Sequence, residues 1–441
     1  MPSANRRALF GMLLGVALGS LEAAIANTAL PAIAADLKVT PAASIWIINA
    51  YQLTVVASLL PFAALGDRLG VRRVFLGGLA FFTAASVLCV LASSLPMLVG
   101  GRALQGLGSG ALMSVNIALV RLLYPAEQLG RGVGLNALVV GLGFVCGPSI
   151  ASLLLAVAPW PWLFAFNLPF GLLALACCWR TLPDSTPRQH GFDPVAGVLA
   201  AAGFSALVFG LGSAAQRRPL VGVVAAAAAA ALCTVLLRRQ RSHPAPMLPV
   251  DLLRRPQFAL SAFTSMASFA TQALAFVGLP FFFQTVLHRP AVETGFLLLP
   301  WALVVAFSAP LAGRLSERIH AGWLGGVGLA TLSLGMLLLA LLPQDATALA
   351  IGWRMALCGA GFALFQSPNL NALMSSAPPE RAGGASGVIA LARLLGQTSG
   401  AALVALCFGL AGAAGPTWAL RLGAGTAALA ALASLARLRV R

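Results

Sequence analysis

From Ala8 to Ala35 the chain is apolar except for one charged residue, Glu22. Runs of this kind recur along the whole sequence, parted by short stretches rich in arginine, proline and glycine. A spanning helix needs roughly 20 apolar residues. The pattern predicts about fourteen, near 8–31, 43–64, 74–95, 97–121, 132–158, 160–180, 193–214, 219–238, 256–286, 291–312, 321–343, 347–375, 383–412 and 416–436. The run at 219–238 is expected to be only mildly apolar, because Ala225 to Ala231 is unbroken alanine. The first run is preceded by Arg6 and Arg7, and Ala24-Ile25-Ala26 has a small-x-small spacing. It is nevertheless too long for the core of a cleaved signal.

Several features repeat about 250 residues apart. Ala63-Ala64-Leu65-Gly66-Asp67-Arg68 matches Gly313-Arg314-Leu315-Ser316-Glu317-Arg318, each at the end of a predicted helix. Pro125-Ala126-Glu127 matches Pro378-Pro379-Glu380, and Arg102 with Gly106 and Gly108 echoes Arg354 with Gly359 and Gly361, one residue out of register. The expected fold is therefore an all-α integral membrane protein of two six-helix bundles, pseudo-twofold related, with two central helices inserted. The first bundle would occupy residues 1–182, the cytoplasmic linker and inserted pair 183–240, and the second bundle 241–441. Repeated halves of this kind build transporters, with the substrate path between them.

Composition agrees with that picture and removes the soluble alternatives. Of 441 residues, 59% are hydrophobic and 9% charged, with 28 Lys+Arg against 11 Asp+Glu. A soluble domain carries about 25% charged residues, so no water-facing shell can be built. A net charge of +17 would suggest a nucleic-acid partner in a soluble protein. Here the basic residues collect on one side instead. With the N-terminus inside, 20 of them fall in cytoplasmic tails and loops, among them Arg68, Arg72, Arg73, Arg254, Arg255, Arg314, Arg318, Arg437 and Arg439. Only four fall outside, and four more (Arg102, Arg354, Arg393, Arg421) lie within spans. Positive charge marks the cytoplasmic face, which places both termini there. The seven cysteines lie in apolar stretches without a CxxC and read as small buried hydrophobes. No His/Cys/Asp/Glu group stands at metal-ligand or catalytic spacing, so neither an enzyme nor a metal site is expected.

Ten of the eleven acids lie in loops or at helix ends, and Glu22 is the exception. It sits roughly 21 Å from the inner end of the first span at 1.5 Å per residue. A charge at such depth costs about 2.5–3.5 kcal/mol and usually faces a water-filled cavity or a partner. Arg102, within a helical turn of it in depth, is the natural partner. A close arginine would hold the carboxylate ionised, and a withdrawn one would let it take up a proton, which is a physical means of coupling proton to conformation. Permanent pairing is the structural alternative. Gly11, Gly15 and Gly19 recur every four residues, as do Gly143 and Gly147, a spacing that allows backbones to approach closely. Pro148 follows Gly147 inside its span and predicts a bent helix. Polar and aromatic candidates for a cavity lining are Trp46, Asn49, Tyr51, Gln52, Asn116, Asn136 and Asn167 in the first half. The second half offers Gln272, Phe276, Gln284, Gln366, Asn369 and Gln397. Aromatics together with an acid suit lipophilic cations.

These residues also carry a family likeness. Ala64-Leu65-Gly66-Asp67-Arg68-Leu69-Gly70-Val71-Arg72-Arg73 resembles the loop signature between helices 2 and 3 of the major facilitator superfamily. Leu98 through Arg102 with Gln105-Gly106-Leu107-Gly108 is similar to its fourth-helix arginine signature, and Gly143 to Pro148 to the antiporter signature of its drug-efflux branches. Leu21 to Pro31 resembles the first-helix signature of the fourteen-helix drug:proton antiporters. Two positions depart from the pattern: Ala151-Ser152 stand where the antiporter signature has a glycine pair, and Ala63 stands at the first glycine of the loop signature.

The resemblance implies a proton-driven multidrug exporter of the bacterial cytoplasmic membrane, with Glu22 standing where the family usually has aspartate. Glu22 and Arg102 would couple the proton. Asp67, Arg68, Gly70, Arg72 and Arg73, with Glu317 and Arg318, would form a cytoplasmic gate, and Gly143, Gly147 and Pro148 the antiporter helix. No cofactor is expected beyond the proton gradient. The partners would be the bilayer, protons and small hydrophobic or cationic drugs, with no nucleic acid and a monomeric state. A dedicated exporter of one metabolite, such as a siderophore, amino acid or sugar, is the alternative within transport. A membrane-embedded sensor that does not translocate is the alternative outside it.

Overall fold

The computed structural model describes residues 3–125, 129–185, 194–215, 219–241, 250–316, 318–376 and 382–439. Among these there is no strand. The reason is the solvent: in hydrocarbon every backbone N–H and C=O must be satisfied within its own segment, which a helix does alone. Each of the fourteen predicted apolar stretches falls on helix, with ends displaced by a few residues. Eleven helices among the described residues are long and apolar enough to cross a membrane, fewer than the fourteen predicted. The difference has three sources. Trp162–Cys178 and Val195–Leu207 are shorter apolar helices, and Leu391–Arg439 runs as one 49-residue apolar stretch where the sequence suggested two spans. The alanine-rich stretch corrects its own expectation, since Leu220–Arg239 is the most apolar of the eleven. The alanine block there is flanked by valine and leucine, and only 11% of the stretch is buried.

The chain forms two compact units, Met1–Ser205 and Ala206–Arg441. The first contains α1 (Ser3–Asp36), a single turn α2 (Pro41–Ser44), α3 (Trp46–Leu69), α4 (Val71–Val90), α5 (Leu95–Leu123) and α6 (Leu129–Val157). It continues with a short α7 (Trp162–Ala165) and α8 (Asn167–Cys178), and α9 (Pro194–Ala215) runs across the division. The second contains α10 (Pro219–Arg241), a single turn α11 (Val250–Leu253) and α12 (Pro256–Phe281), which a π-helical turn at Phe282–Val286 prolongs. After these come α13 (Ala291–Leu315), α14 (Ala321–Ala340), α15 (Ala348–Ser375), α16 (Ala382–Ala411) and α17 (Gly415–Ala436). Pro96, Pro256 and Pro416 open α5, α12 and α17 in the first turn, where proline's missing N–H has no partner to lose.

Inside each unit the same packing recurs. α3 and α4 both lie on α5, α1 lies on α6, and α8 rests against α1 and α4. In the second unit α13 and α14 lie on α15, α12 on α16, and α17 against α12 and α14. Glycines set the register of these contacts. A methyl on Gly108 would stand 2.6 Å from the backbone N of Phe82, and one on Gly361 2.5 Å from that of Leu332. Likewise Gly106 abuts the carbonyl of Tyr51, and Gly359 that of Trp301. The register corrects one pairing read from the sequence. With Gly106 and Gly108 matched to Gly359 and Gly361, the residue corresponding to Arg102 is Met355, not Arg354. Met355 is fully buried, whereas Arg354 is half-buried, donates to its own helix at Ala350 O (2.6 Å) and stacks on Trp353 (4.4 Å).

Candidate functional site

The first unit holds one buried pair of opposite charges in a knot of polar side chains. α1 carries Glu22 and α5 carries Arg102, with side chains 0% and 1% exposed. Arg102 Nη1 donates to Glu22 Oε1 at 2.5 Å, and Asn167 Nδ2, from the first residue of α8, donates to Glu22 Oε2 at 2.5 Å. Both carboxylate oxygens are thus engaged. Arg102 also donates from Nη1 to Gln105 Oε1 (2.7 Å) and from Nε to the carbonyl of Ile47 on α3 (3.2 Å). Its guanidinium lies 4.2 Å from the centroid of the Tyr51 ring and 5.7 Å from that of Phe164. A second layer follows. Gln105 Nε2 donates to Ser86 Oγ on α4 (2.9 Å), and the Tyr51 hydroxyl lies against Gly19 O (3.0 Å) and Ser109 Oγ (2.8 Å).

Two buried charges lose hydration that costs several kcal/mol each, and only close pairing with further hydrogen bonds restores it. The knot supplies both conditions. Its orphan is the Asn167 Oδ1 carbonyl, which has no partner among the described residues. Gly143 and Gly147 of α6 bracket the turn of α1 that bears Glu22. Gly143 lies against Ala17, Ser20 and Leu21, and Gly147 against Leu21, Ala24 and Ile25. Pro148 is buried next to them, and α6 continues through it from Leu129 to Val157. The stripe Gly11, Gly15, Gly19 serves three interfaces instead of one, meeting Cys178 on α8, Phe75 on α4 and Ser109 on α5 in turn.

The predicted cavity residues divide into several environments. Tyr51 belongs to the charged knot. Asn116 Nδ2 bridges α5 to α6 through Asn136 Oδ1 (2.9 Å), while its own Oδ1 has no partner among the described residues. Asn49 and Gln52 are buried one turn apart on α3 with side-chain oxygens that have no partner among the described residues. Trp46 and Gln366 are half-buried, while Gln272 and Phe276 are buried on α12. Asn369 is buried in a polar cluster. Its Oδ1 accepts from Arg437 Nη1 (2.7 Å) and Thr264 Oγ1 (3.3 Å), and its Nδ2 donates to Ser261 O (3.1 Å). Arg437, counted with the C-terminal tail by its place in the sequence, is 2% exposed. It also bonds Ser261 Oγ (3.0 Å) and Ser434.

At the end of α3, Asp67, Arg68 and Arg73 are exposed. Gly70 turns the chain into α4 with φ +94°, a backbone that side chains rarely adopt. The segment after α8 clasps this turn: Val71 N donates to Ser185 Oγ (2.9 Å), and Arg72 donates to Asp184 Oδ2 (2.9 Å) and Trp179 O (2.7 Å). Asp184 and Ser185 were not singled out from the sequence, where they read as linker. Arg318 is exposed just beyond α13. Glu317 lies outside the described residues, as do Ala126, Glu127, Pro378, Pro379 and Glu380 of the sequence repeat.

Helices of this length and apolarity, in two units with one packing scheme, define a multi-pass membrane transporter. Residues 12–401 match the family model of the Major Facilitator Superfamily, and the chain belongs to that family. It is 48% identical over 430 residues to the uncharacterized transporter YebQ of Escherichia coli (strain K12), covering 97% of this chain and 94% of YebQ. It is 32% identical over 412 residues to the multidrug resistance protein Stp of Mycobacterium tuberculosis (strain CDC 1551 / Oshkosh), covering 91% and 76%. Among solved structures, the POT family transporter PepTSo matches with a TM-score of 0.74 at 16% identity, over 98% of each chain. That likeness is one of fold. Bacterial relatives of this kind, with the spanning helices, mark a multi-pass protein of the inner membrane.

Proposed function

We propose that the protein exports small hydrophobic, preferentially cationic compounds in exchange for protons, by alternating access. The observation that carries this reading is the Glu22–Arg102 pair, an acid and a base buried together in a spanning bundle. The second unit has the same glycine frame with uncharged residues at the two matched positions. Gly396 and Gly400 meet Met266 and Ala270 as Gly143 and Gly147 meet Ala17 and Leu21, which sets Thr271 opposite Glu22. Met355 stands at the place of Arg102. Among the described residues the buried ion pair Glu22–Arg102 has no counterpart at the matched positions of the second unit, which speaks for a task.

Glu22 would carry the proton. While Arg102 holds it, the carboxylate stays ionised; a shift of α1 against α5 that parts them leaves a buried anion, which protonation relieves. Asp67, Arg68 and the Gly70 turn would act in the cytoplasmic gate, with both termini on that side. The name of Stp and the motif resemblances support drug efflux as the cargo. The test is proton release from drug-loaded vesicles carrying the wild type or Glu22→Gln. The variant should lose drug-induced proton movement; undiminished coupled transport would remove Glu22 from the role. A substrate panel with one strong hit and no dye efflux would point to a dedicated exporter instead.

A further inference from the structure

Where the first unit holds charges, the second holds rings. Trp301 on α13 occupies the place of Tyr51 on α3, as the matched contacts of their carbonyls with Gly359 and Gly106 show. The Tyr51 hydroxyl is engaged by Gly19 and Ser109. The Trp301 indole N–H has no acceptor among the described residues, although its side chain is 1% exposed. Phe276 meets the indole edge-on at 5.3 Å between centroids, and Phe362 lies at 6.3 Å and meets Phe269 at 5.7 Å. Gln272 lies one turn from both Phe269 and Phe276 on the same face of α12 and adds a neutral polar group at the edge of the cluster.

An unanswered N–H this deep is costly, and ring faces are weak acceptors. A ligand that brings an oxygen to it gains the hydrogen bond that the fold leaves unmade, while its rings stack as aromatic pairs do. The two matched positions are uncharged, since Thr271 and Met355 occupy the places of Glu22 and Arg102. We propose that Phe276, Trp301 and Phe362 form a recognition site for the uncharged part of the substrate, a flat aromatic system bearing a carbonyl that accepts from Trp301 Nε1. This assignment rests on the export reading and narrows its substrate class.

Fluorenone and fluorene share one flat tricyclic frame and differ by a carbonyl, so their binding to the purified chain in detergent, measured by equilibrium dialysis, isolates the contact. The wild type should bind fluorenone about five-fold more tightly, the factor of one net hydrogen bond. Trp301→Phe should bring that ratio to about one, whatever the smaller ring does to the affinity for fluorene itself. Equal affinity of the wild type for both compounds, binding of neither, or a ratio that survives in Trp301→Phe would overturn the assignment. Should that variant not fold, Phe276→Leu decides: weaker binding of both compounds with the ratio kept supports the site, and unchanged binding overturns it. Equal affinity of the wild type for the two compounds, with Glu22-dependent proton exchange intact, would sink this site alone; a Trp301-dependent ratio without Glu22-dependent proton exchange would sink the export reading alone.

Discussion

Replacing Arg102 by methionine would give the first unit the residue that the second already has at that place. The change removes the charge partner of Glu22 and the donor to Gln105 and Ile47, leaving Asn167 as the remaining donor to the carboxylate among the described residues. Breaking a buried pair from one side costs about 3–5 kcal/mol, because the other charge stays behind. Glu22→Gln should cost less, since Arg102 keeps Gln105, the Ile47 carbonyl and the Tyr51 ring. The double variant removes both charges at once. Its loss should fall short of the sum of the single losses by about 2 kcal/mol, within the range seen for contacting residues. Equilibrium unfolding of the four proteins by SDS in mixed micelles measures this. The Arg102→Met loss should also shrink in acid, because protonated Glu22 is no longer a buried anion. Additive losses, or a double variant that still exchanges protons, would refute the reasoning.

Two further outcomes follow from packing and polar satisfaction. Gly108→Ala and Gly361→Ala each place a methyl against backbone of the neighbouring helix and should cost about 1–3 kcal/mol in the same assay; Gly77→Ala, which meets nothing within 4 Å, should cost far less. Asn369→Ala takes an acceptor from buried Arg437 and should destabilise by about 1–3 kcal/mol, whereas exposed Asn371→Ala should stay within about 0.5 kcal/mol; equal losses at the two positions would count against the polar staple.

Much of the fold was legible because a bilayer imposes one length and one polarity on every element that crosses it. The helices therefore stand close to where the apolar runs stand. Glu22 was legible for the same reason, as the acid at the wrong depth, and Arg102 by its similar depth. The rest of the knot was not. Asn167, Gln105 and Ser86 come from α8, α5 and α4, and no periodicity links them. The burial of Arg437 was not legible because charge counting reads an arginine by its place along the chain and says nothing of a side chain that folds back among Ser261, Asn369 and Ser434. The register of α15 likewise lies in which glycine meets which carbonyl, and that is a property of packed pairs.

The staple at Arg437 has a consequence for how the protein is made. Ser261 and Asn369 belong to α12 and α15, which leave the ribosome well before the last turn after α17. Until Arg437 is translated, Asn369 Oδ1 lacks its charged donor and the inner polar group of the bundle is incomplete. The second unit therefore completes this polar cluster only once synthesis has passed residue 437, whereas the first unit has every member of its charged knot by Asn167.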